Sequence, residues 1–509
     1  MHITRQVITL SIATLIVVTG CALARVHDSP PSQSVTNAPL LLTQRVAQVD
    51  TEAAEPMIVE HPDGILFVAG VGGPWPRDSE YNSNPAYWDS LLRDRLWQSR
   101  DHGATWVPVD LGAGAAGVIG NSDVDLAVAP DGTLYVASMT WADSVREGRR
   151  IAVGVSHDVG ATWTWTLLSE HRFDDRPWVV VAPDGVAHVI WNDGEGVQHV
   201  VSHDGGKTWS PPARVHDQGG SSHLAVGPHG ELAARVIPWS ASHNYLAPGV
   251  DLIAVSTDGG STWKTHPAPG QRDWGTWAPG ATHSGRDDSV QVFAGNKTAR
   301  RCCSGTIIPR WIEPLAWDGE GRLYALWPDT TGVWLARSAD RGATWDVWRI
   351  VERPVRYVHG PWPVVHDYER DLVSRLHDAI FYPYLIARGD GELAATWLVR
   401  EADSLHWQAA RIEVGHGTQA PRVVQSSPLE LDTFDPDTTR PGGIRRASSA
   451  GEYLGVTFLR DGGIGVITPI QVPFTQRLGF TYWRFDRPGA VHPTASEGLM
   501  SPRSTGSGP

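Results

Sequence analysis

Short apolar runs separated by glycine turns fill most of this chain, and within the runs apolar and polar positions alternate. HPDGILFVAG (61–70), APDGTLYVAS (129–138), APDGVAHVIW (182–191), GPHGELAARV (227–236), DGEGRLYALW (318–327) and ARGDGELAAT (387–396) each set a turn before an alternating stretch, and LRDGGIGVIT (459–468) is a weaker seventh copy. Alternation with a period of two after a glycine turn predicts a strand with one buried face. Another apolar run precedes each turn, as in DLAVA (125–129), WVVVA (178–182) and YLIAR (384–388). A third comes later, as in IAVGV (151–155) and LIAVS (252–256), and leads into an octet whose closing Thr-Trp begins a fourth. One unit is therefore four antiparallel strands, A to D. The glycine turn joins A to B, and the octet joins C to D.

Repetition of such a unit predicts an all-β fold, a β-propeller of four-stranded blades. Turn glycines at 64, 132, 185, 230, 321, 391 and 462 predict seven blades, with six the alternative because the gap from Gly230 to Gly321 is long. The last unit shows only three strands, YLGVTFL (453–459), IGVITPI (464–470) and LGFTYWRF (478–485). LLLTQRVAQ (40–48) can supply the fourth, which would close the ring and leave no open edge. The long segments 71–95, 264–311, 346–380 and 416–450 are all B–C or D–A connections, so all fall on one face, here the upper one. Insertions gathered on one face mark a binding face.

The octets are SRDHGATW (99–106), SHDVGATW (156–163), SHDGGKTW (202–209), STDGGSTW (256–263) and SADRGATW (338–345). Ser and Asp can bond the backbone of their own turn, Gly permits a positive φ, Thr suits the following strand, and Trp covers the turn. The pattern resembles the Asp box, or BNR repeat, of the sialidase superfamily, over about residues 40–485. That resemblance implies a propeller with the octets on the lower perimeter, outside the chemistry. It also implies a mouth in which arginines hold a substrate carboxylate, a Tyr paired with Glu is the nucleophile, and an Asp is the acid/base.

Composition narrows the class. The 509 residues can bury a large core; 53 glycines, 37 prolines and 24 tryptophans fit many turns and aromatic strands. A net charge of −14 argues against nucleic acid or an anionic surface as the main partner. VITLSIATLIVVTG (7–20), behind Arg5, is too short for an ordinary membrane span and reads as a targeting segment. It ends in VTGC, which resembles a bacterial lipobox and implies a lipidated Cys21; ordinary cleavage after the ALA at 22–24 is the rival. The expected layout is a signal peptide over 1–24, a linker over 25–38, the propeller over 39–485 and a disordered tail over 486–509, in an exported, cell-envelope or secreted, monomeric protein. Cys302 and Cys303 are too few for a disulfide framework or a zinc site and are expected to close a vicinal disulfide.

The A strands open on the upper face. At one offset before each turn glycine stand Glu55, Asp123, Arg176, Ser221, Ile312, Tyr382 and Tyr453; Glu313-Pro314 echoes Glu55-Pro56, so Glu313 is the expected fifth member. By the resemblance, Tyr382 or Tyr453, Glu313 and Asp123 are the catalytic candidates. Arg176, Glu55, Arg310, Arg445 and Arg446 are the substrate-binding ones. The family's early Arg-Ile-Pro is missing; AEPMIVEHPDG (54–64) stands there, with Glu55 where a cation is expected. Carbohydrate is the expected partner, and no cofactor or metal is expected. Other readings are a polysaccharide lyase, for which His223, His283, His359, His366 and His377 are available, and a non-catalytic envelope docking platform using upper-loop aromatics such as Trp75, Trp88, Trp274 and Trp362.

Overall fold

The computed structural model describes residues 23–26, 38–48, 53–72, 93–112, 118–142, 147–217, 220–237, 251–270, 290–293, 297–299, 314–329, 331–354, 356–357, 376–401, 404–415, 419–429, 454–471 and 478–487. These are strands, turns and irregular segments, with no helix among the described residues. Seven antiparallel sheets each contribute a four-stranded blade. Their innermost strands are Ala53–Glu60, Val124–Val128, Asp175–Val181, Gly220–Val226, Leu315–Trp317, Leu376–Arg388 and Val456–Phe458. Each touches the next, and the last touches the first, so the blades close a ring. All seven turn glycines adopt a left-handed φ, from +74° at Gly321 and Gly391 to +94° at Gly462. Seven blades, not six, is the count.

The closing strand is Leu41–Gln48. It pairs with the last strand, Leu478–Asp486, from Leu41↔Asp486 to Gln48↔Phe480. Two blades gain a fifth strand. In blade 6, Arg356–Tyr357 pairs with the upper end of Leu376–Arg388. In blade 5, Leu23–Val26 lies parallel to the outer strand Thr344–Glu352. Residues 25–38, expected as a linker, thus begin within a strand. The segment 264–311 also holds structure, a hairpin of Val290–Phe293 with Lys297–Ala299.

Alternation buries one stripe of each sheet against its neighbour. At the seam between blades 1 and 7, Ile58, Leu66, Val68 and Trp97 pack with Ile467, Phe480 and Tyr482. The octet is the hinge-pin of such seams. In blade 1, Asp101 Oδ1 accepts from Ser99 Oγ–H and from the Thr105 N–H, both at 2.8 Å, and Oδ2 accepts from Thr105 Oγ–H at 2.6 Å. Gly103 N–H donates to Ser99 Oγ at 2.7 Å, and Trp106 Nε1–H donates to Gly103 O at 3.1 Å. The carboxylate bonds recur at Asp158, Asp204, Asp258 and Asp340. Only Trp209 departs, its indole N–H meeting no partner among the described residues. Hydrogen bonds to the carboxylate, threonine's first, lower the pKa of Asp204 and Asp258 to about 2. Each acid is committed to its own turn and has no proton to give.

Each octet also presses on the preceding blade. A Cβ added to Gly103 would lie 2.1 Å from Tyr482 Cε1, and the Trp106 ring meets Phe480 and Tyr482 edge-on at 5.3 and 5.5 Å. Gly103 therefore answers two demands, a φ of +91° and a ring face with no room for a methyl group.

Candidate functional site at the loop-bearing mouth

Three residues of the expected ring have an unusual backbone. Glu55, Arg176 and Tyr382 adopt φ of +48°, +53° and +46°. Such a conformation costs a residue with a side chain about 1–3 kcal/mol. Each stands before a proline, and each pair is where the strand slips register: pairing jumps from Ala54 to Met57, from Asp175 to Trp178 and from Phe381 to Tyr384. Proline has no N–H to give a ladder, so a two-residue bulge accommodates it, and the bulge re-aims the residue before it. Blades 1, 3 and 6 thus carry the same strained device at the same height. Blade 4 shifts once, between Ser221 and His223. In blade 5 the Pro314 carbonyl accepts from Leu326 N–H at 3.4 Å, in step with Leu315↔Ala325, and the residue before it lies outside the described residues.

The charges at the mouth are mixed. Arg176 Nε lies 3.9 Å from Asp175 Oδ2, with both side chains partly exposed. Asp123 is partly exposed, and its carbonyl accepts from Met139 N–H at 3.0 Å, so the ladder continues unbroken into Val124↔Ser138. Its charge acts on Asp94, a buried carboxyl that sequence reasoning missed. Asp94 Oδ2 accepts from Ser138 Oγ–H at 2.5 Å, while Oδ1 meets no partner among the described residues. Burial pushes the Asp94 pKa well above the usual carboxylate range, and Asp123 adds to it. Tyr382 is 3% exposed and packs in the main hydrophobic cluster with Trp178 and Tyr384.

Two residues further along the inner strands, side chains of different blades meet across the ring. His223 of blade 4 meets Trp178 of blade 3 edge-on at 5.1 Å and Tyr384 of blade 6 at 5.5 Å. His223 Nδ1 accepts from Leu315 N–H at 3.2 Å, which places the ring proton on Nε2, 3.5 Å from Tyr384 Oη. Burial drops the His223 pKa to about 3, so the ring is neutral. Burial, with Asp125 adding, raises Tyr384 well above its usual value, so its hydroxyl keeps its proton. Asp125 does for blades 2 and 3 what His223 does for 4 and 5. Its Oδ2 accepts from Val179 N–H and its Oδ1 from Leu126 N–H, both at 2.8 Å. The inner strands of blades 3 and 5 are edges, and these side chains supply acceptors their N–H groups would otherwise lack. Burial outweighs those bonds and raises the Asp125 pKa to about 7.

The structure thus sets Glu55, Asp123, Arg176 and Tyr382 at the upper ends of the inner strands. Glu313, Tyr453, Arg310, Arg445, Arg446, Cys21, Cys302 and Cys303 lie outside the described residues, as do His283, His359, His366 and the aromatics Trp75, Trp88, Trp274 and Trp362. His377 falls in a strand, and His223 is a channel staple. Among the described residues, no group of three or more His, Cys, Asp or Glu side chains could hold a metal ion, and no helix is long and apolar enough to cross a membrane.

The BNR/Asp-box repeat family model matches residues 200–211. No curated protein matches the chain. Solved structures similar to it include a protein of unknown function from Dyadobacter fermentans DSM 18053, with TM-score 0.46 and 14% identity over 88% of this chain and 99% of that one. The Penicillium chrysogenum α-L-arabinanase complexed with arabinobiose gives 0.38 and 13%, over 86% and 98%. The intramolecular trans-sialidase from Ruminococcus gnavus in complex with oseltamivir carboxylate gives 0.37 and 11%, over 89% and 98%. With five octets built on one bonding plan and seven blades closed in one ring, the chain is a seven-bladed β-propeller that carries the BNR/Asp-box repeat.

Proposed function

We propose that the protein is an exported, lipid-anchored, glycan-acting hydrolase whose reaction centre is the upper mouth. One observation carries this reading: Glu55, Arg176 and Tyr382 are held in the same strained, bulged conformation at one height. Strain of about 1–3 kcal/mol at each of three equivalent positions is what a functional site retains and a passive rim loses. In this reading Arg176 binds a carboxylate or hydroxyl of the sugar through its planar fork, with Asp175 orienting it. Tyr382 attacks the anomeric carbon once a carboxylate, Glu313, has taken its proton, because a free phenol near pKa 10 is a poor nucleophile at neutral pH. Asp123 protonates the departing sugar oxygen. Export and anchoring rest on the apolar run 7–20 and the VTGC that follows.

The test is turnover of the purified mature protein on fluorogenic sialosides, arabinosides and other glycosides, together with a polysaccharide panel. Release of a reducing sugar from one of them, lost in Tyr382→Phe, is expected. No turnover on any, with tight binding to an envelope protein, would replace the hydrolase with a docking platform. Unsaturated products would replace it with a lyase.

A further inference from the structure

The strand Leu23–Val26 shows where the N-terminal side of the chain leaves the ring. Leu23 lies beside Thr344, Arg25 beside Asp346 and Val26 beside Val347, all in parallel register. Thr344 belongs to the blade 5 octet, 338–345, which marks the lower rim. Because the pairing is parallel, Leu23 is at that rim and Val26 is above it; an antiparallel strand would put Leu23 towards the mouth. Cys21 is two residues before Leu23, a reach of about 7 Å for extended chain. The two cleavage sites also differ in what they leave. Cleavage before Cys21 keeps the added strand whole, whereas cleavage after Ala24 would remove Leu23 and Ala24, half of it.

We infer that the propeller stands on a lipid bilayer by the lower rim of blade 5, with its mouth turned away from the membrane. This rests on the reading of Cys21 as the lipidated residue. The outer strand Thr344–Glu352 rises nine residues from that rim, about 30 Å at roughly 3.3 Å per residue. The mouth therefore stands some way above the headgroups and faces polymers that approach from the aqueous side. Glycans carried on lipid headgroups of the same bilayer are out of its reach. The substrate class is then a soluble or wall-borne glycan.

The full-length acylated protein, reconstituted in phosphatidylcholine–phosphatidylglycerol vesicles carrying a headgroup nitroxide lipid, tests this. In a Cys302→Ser, Cys303→Ser background, Ala339→Cys places a fluorophore on the exposed blade 5 octet, and Glu195→Cys places one on the exposed upper turn of blade 3. Fluorescence at 339 is expected to be quenched and that at 195 unchanged. Quenching at 195 equal to or above that at 339 overturns the orientation. Intact mass separates the two failures: without acyl groups on Cys21 the anchor reading falls and the orientation with it, whereas acylated protein with reversed quenching sinks the orientation alone. A second variant, Arg25→Cys with Asp346→Cys, joins register partners and is expected to give a crosslinked peptide on oxidation. A folded, acylated protein that never crosslinks there would refute the strand placement.

Discussion

Gly103→Ala should destabilise the protein well beyond what the same change does at Gly64. Both glycines have a left-handed φ, +91° and +79°. A left-handed residue with a Cβ costs roughly 1–2 kcal/mol, and both variants incur it. At Gly64 nothing lies within 4 Å of the added Cβ. At Gly103 three atoms of the Tyr482 ring lie at 2.1, 2.4 and 2.9 Å, and that ring is fully buried and wedged against Trp106. Forcing a methyl group into a packed core costs about 1–3 kcal/mol more. The expected losses are about 1–2 kcal/mol for Gly64→Ala and about 2–5 kcal/mol for Gly103→Ala. Equilibrium urea denaturation followed by tryptophan fluorescence reads both, and Trp106 sits at the perturbed seam. Equal midpoints and equal slopes for the two variants would show that the octet glycine serves its own turn only, and that the coupling of blade 1 to blade 7 is misread.

At the mouth, Tyr382→Phe is expected to lower kcat by at least about 100-fold with the urea midpoint preserved, and Arg176→Lys to raise KM; turnover unchanged in both would move the site elsewhere. Asp204→Asn should leave activity intact, since that carboxylate serves its turn. Because the folded Asp204 pKa is depressed to about 2, its contribution is present above the unfolded value near 3.9 and is lost as pH falls through 2, so the variant should flatten the acid limb of a stability–pH curve. Asp125 has the opposite sign. Its folded pKa, about 7, is above the unfolded one, so stability is favoured at low pH and lost as pH rises from about 4 towards 7. Asp125→Asn should therefore cost less at pH 8 than at pH 5, and a penalty independent of pH would contradict the buried, protonated assignment.

The sequence disclosed what is local or repeated. Gly64 to Gly462 counted the blades because an A–B turn needs a left-handed residue, and the octets located the lower rim because their Ser, Asp and Thr side chains bond their own turn. Leu41–Gln48 was legible as the closing strand because blade 7 lacked one. Features that depend on which strand lies beside which stayed hidden. The Xaa-Pro pairs at 55, 176 and 382 are visible as letters, yet only cross-strand pairing shows that they are bulges. His223 and Tyr384 lie 161 positions apart and meet because blades 4 and 6 face the same channel. Their trace in the sequence is faint: Asp125, His223 and Tyr384 each stand two positions after a ring residue, where an apolar side chain would be ordinary. The pairing of Leu23–Val26 with blade 5 has no sequence signal at all, since four residues beside a targeting segment do not name a partner.

The closing strand carries a consequence for how the molecule is made. Leu41–Gln48 is synthesised long before its partner, Leu478–Asp486. The seventh blade cannot exist until Leu478–Asp486 has been delivered, and until then Leu41–Gln48 is an unpaired edge open to other chains. Contacts this remote in sequence form slowly. Once formed, they clasp the ring so that no blade can peel away alone. Assembly is therefore slow to complete and slow to reverse, and the folded molecule owes its lifetime to that final eight-residue seam.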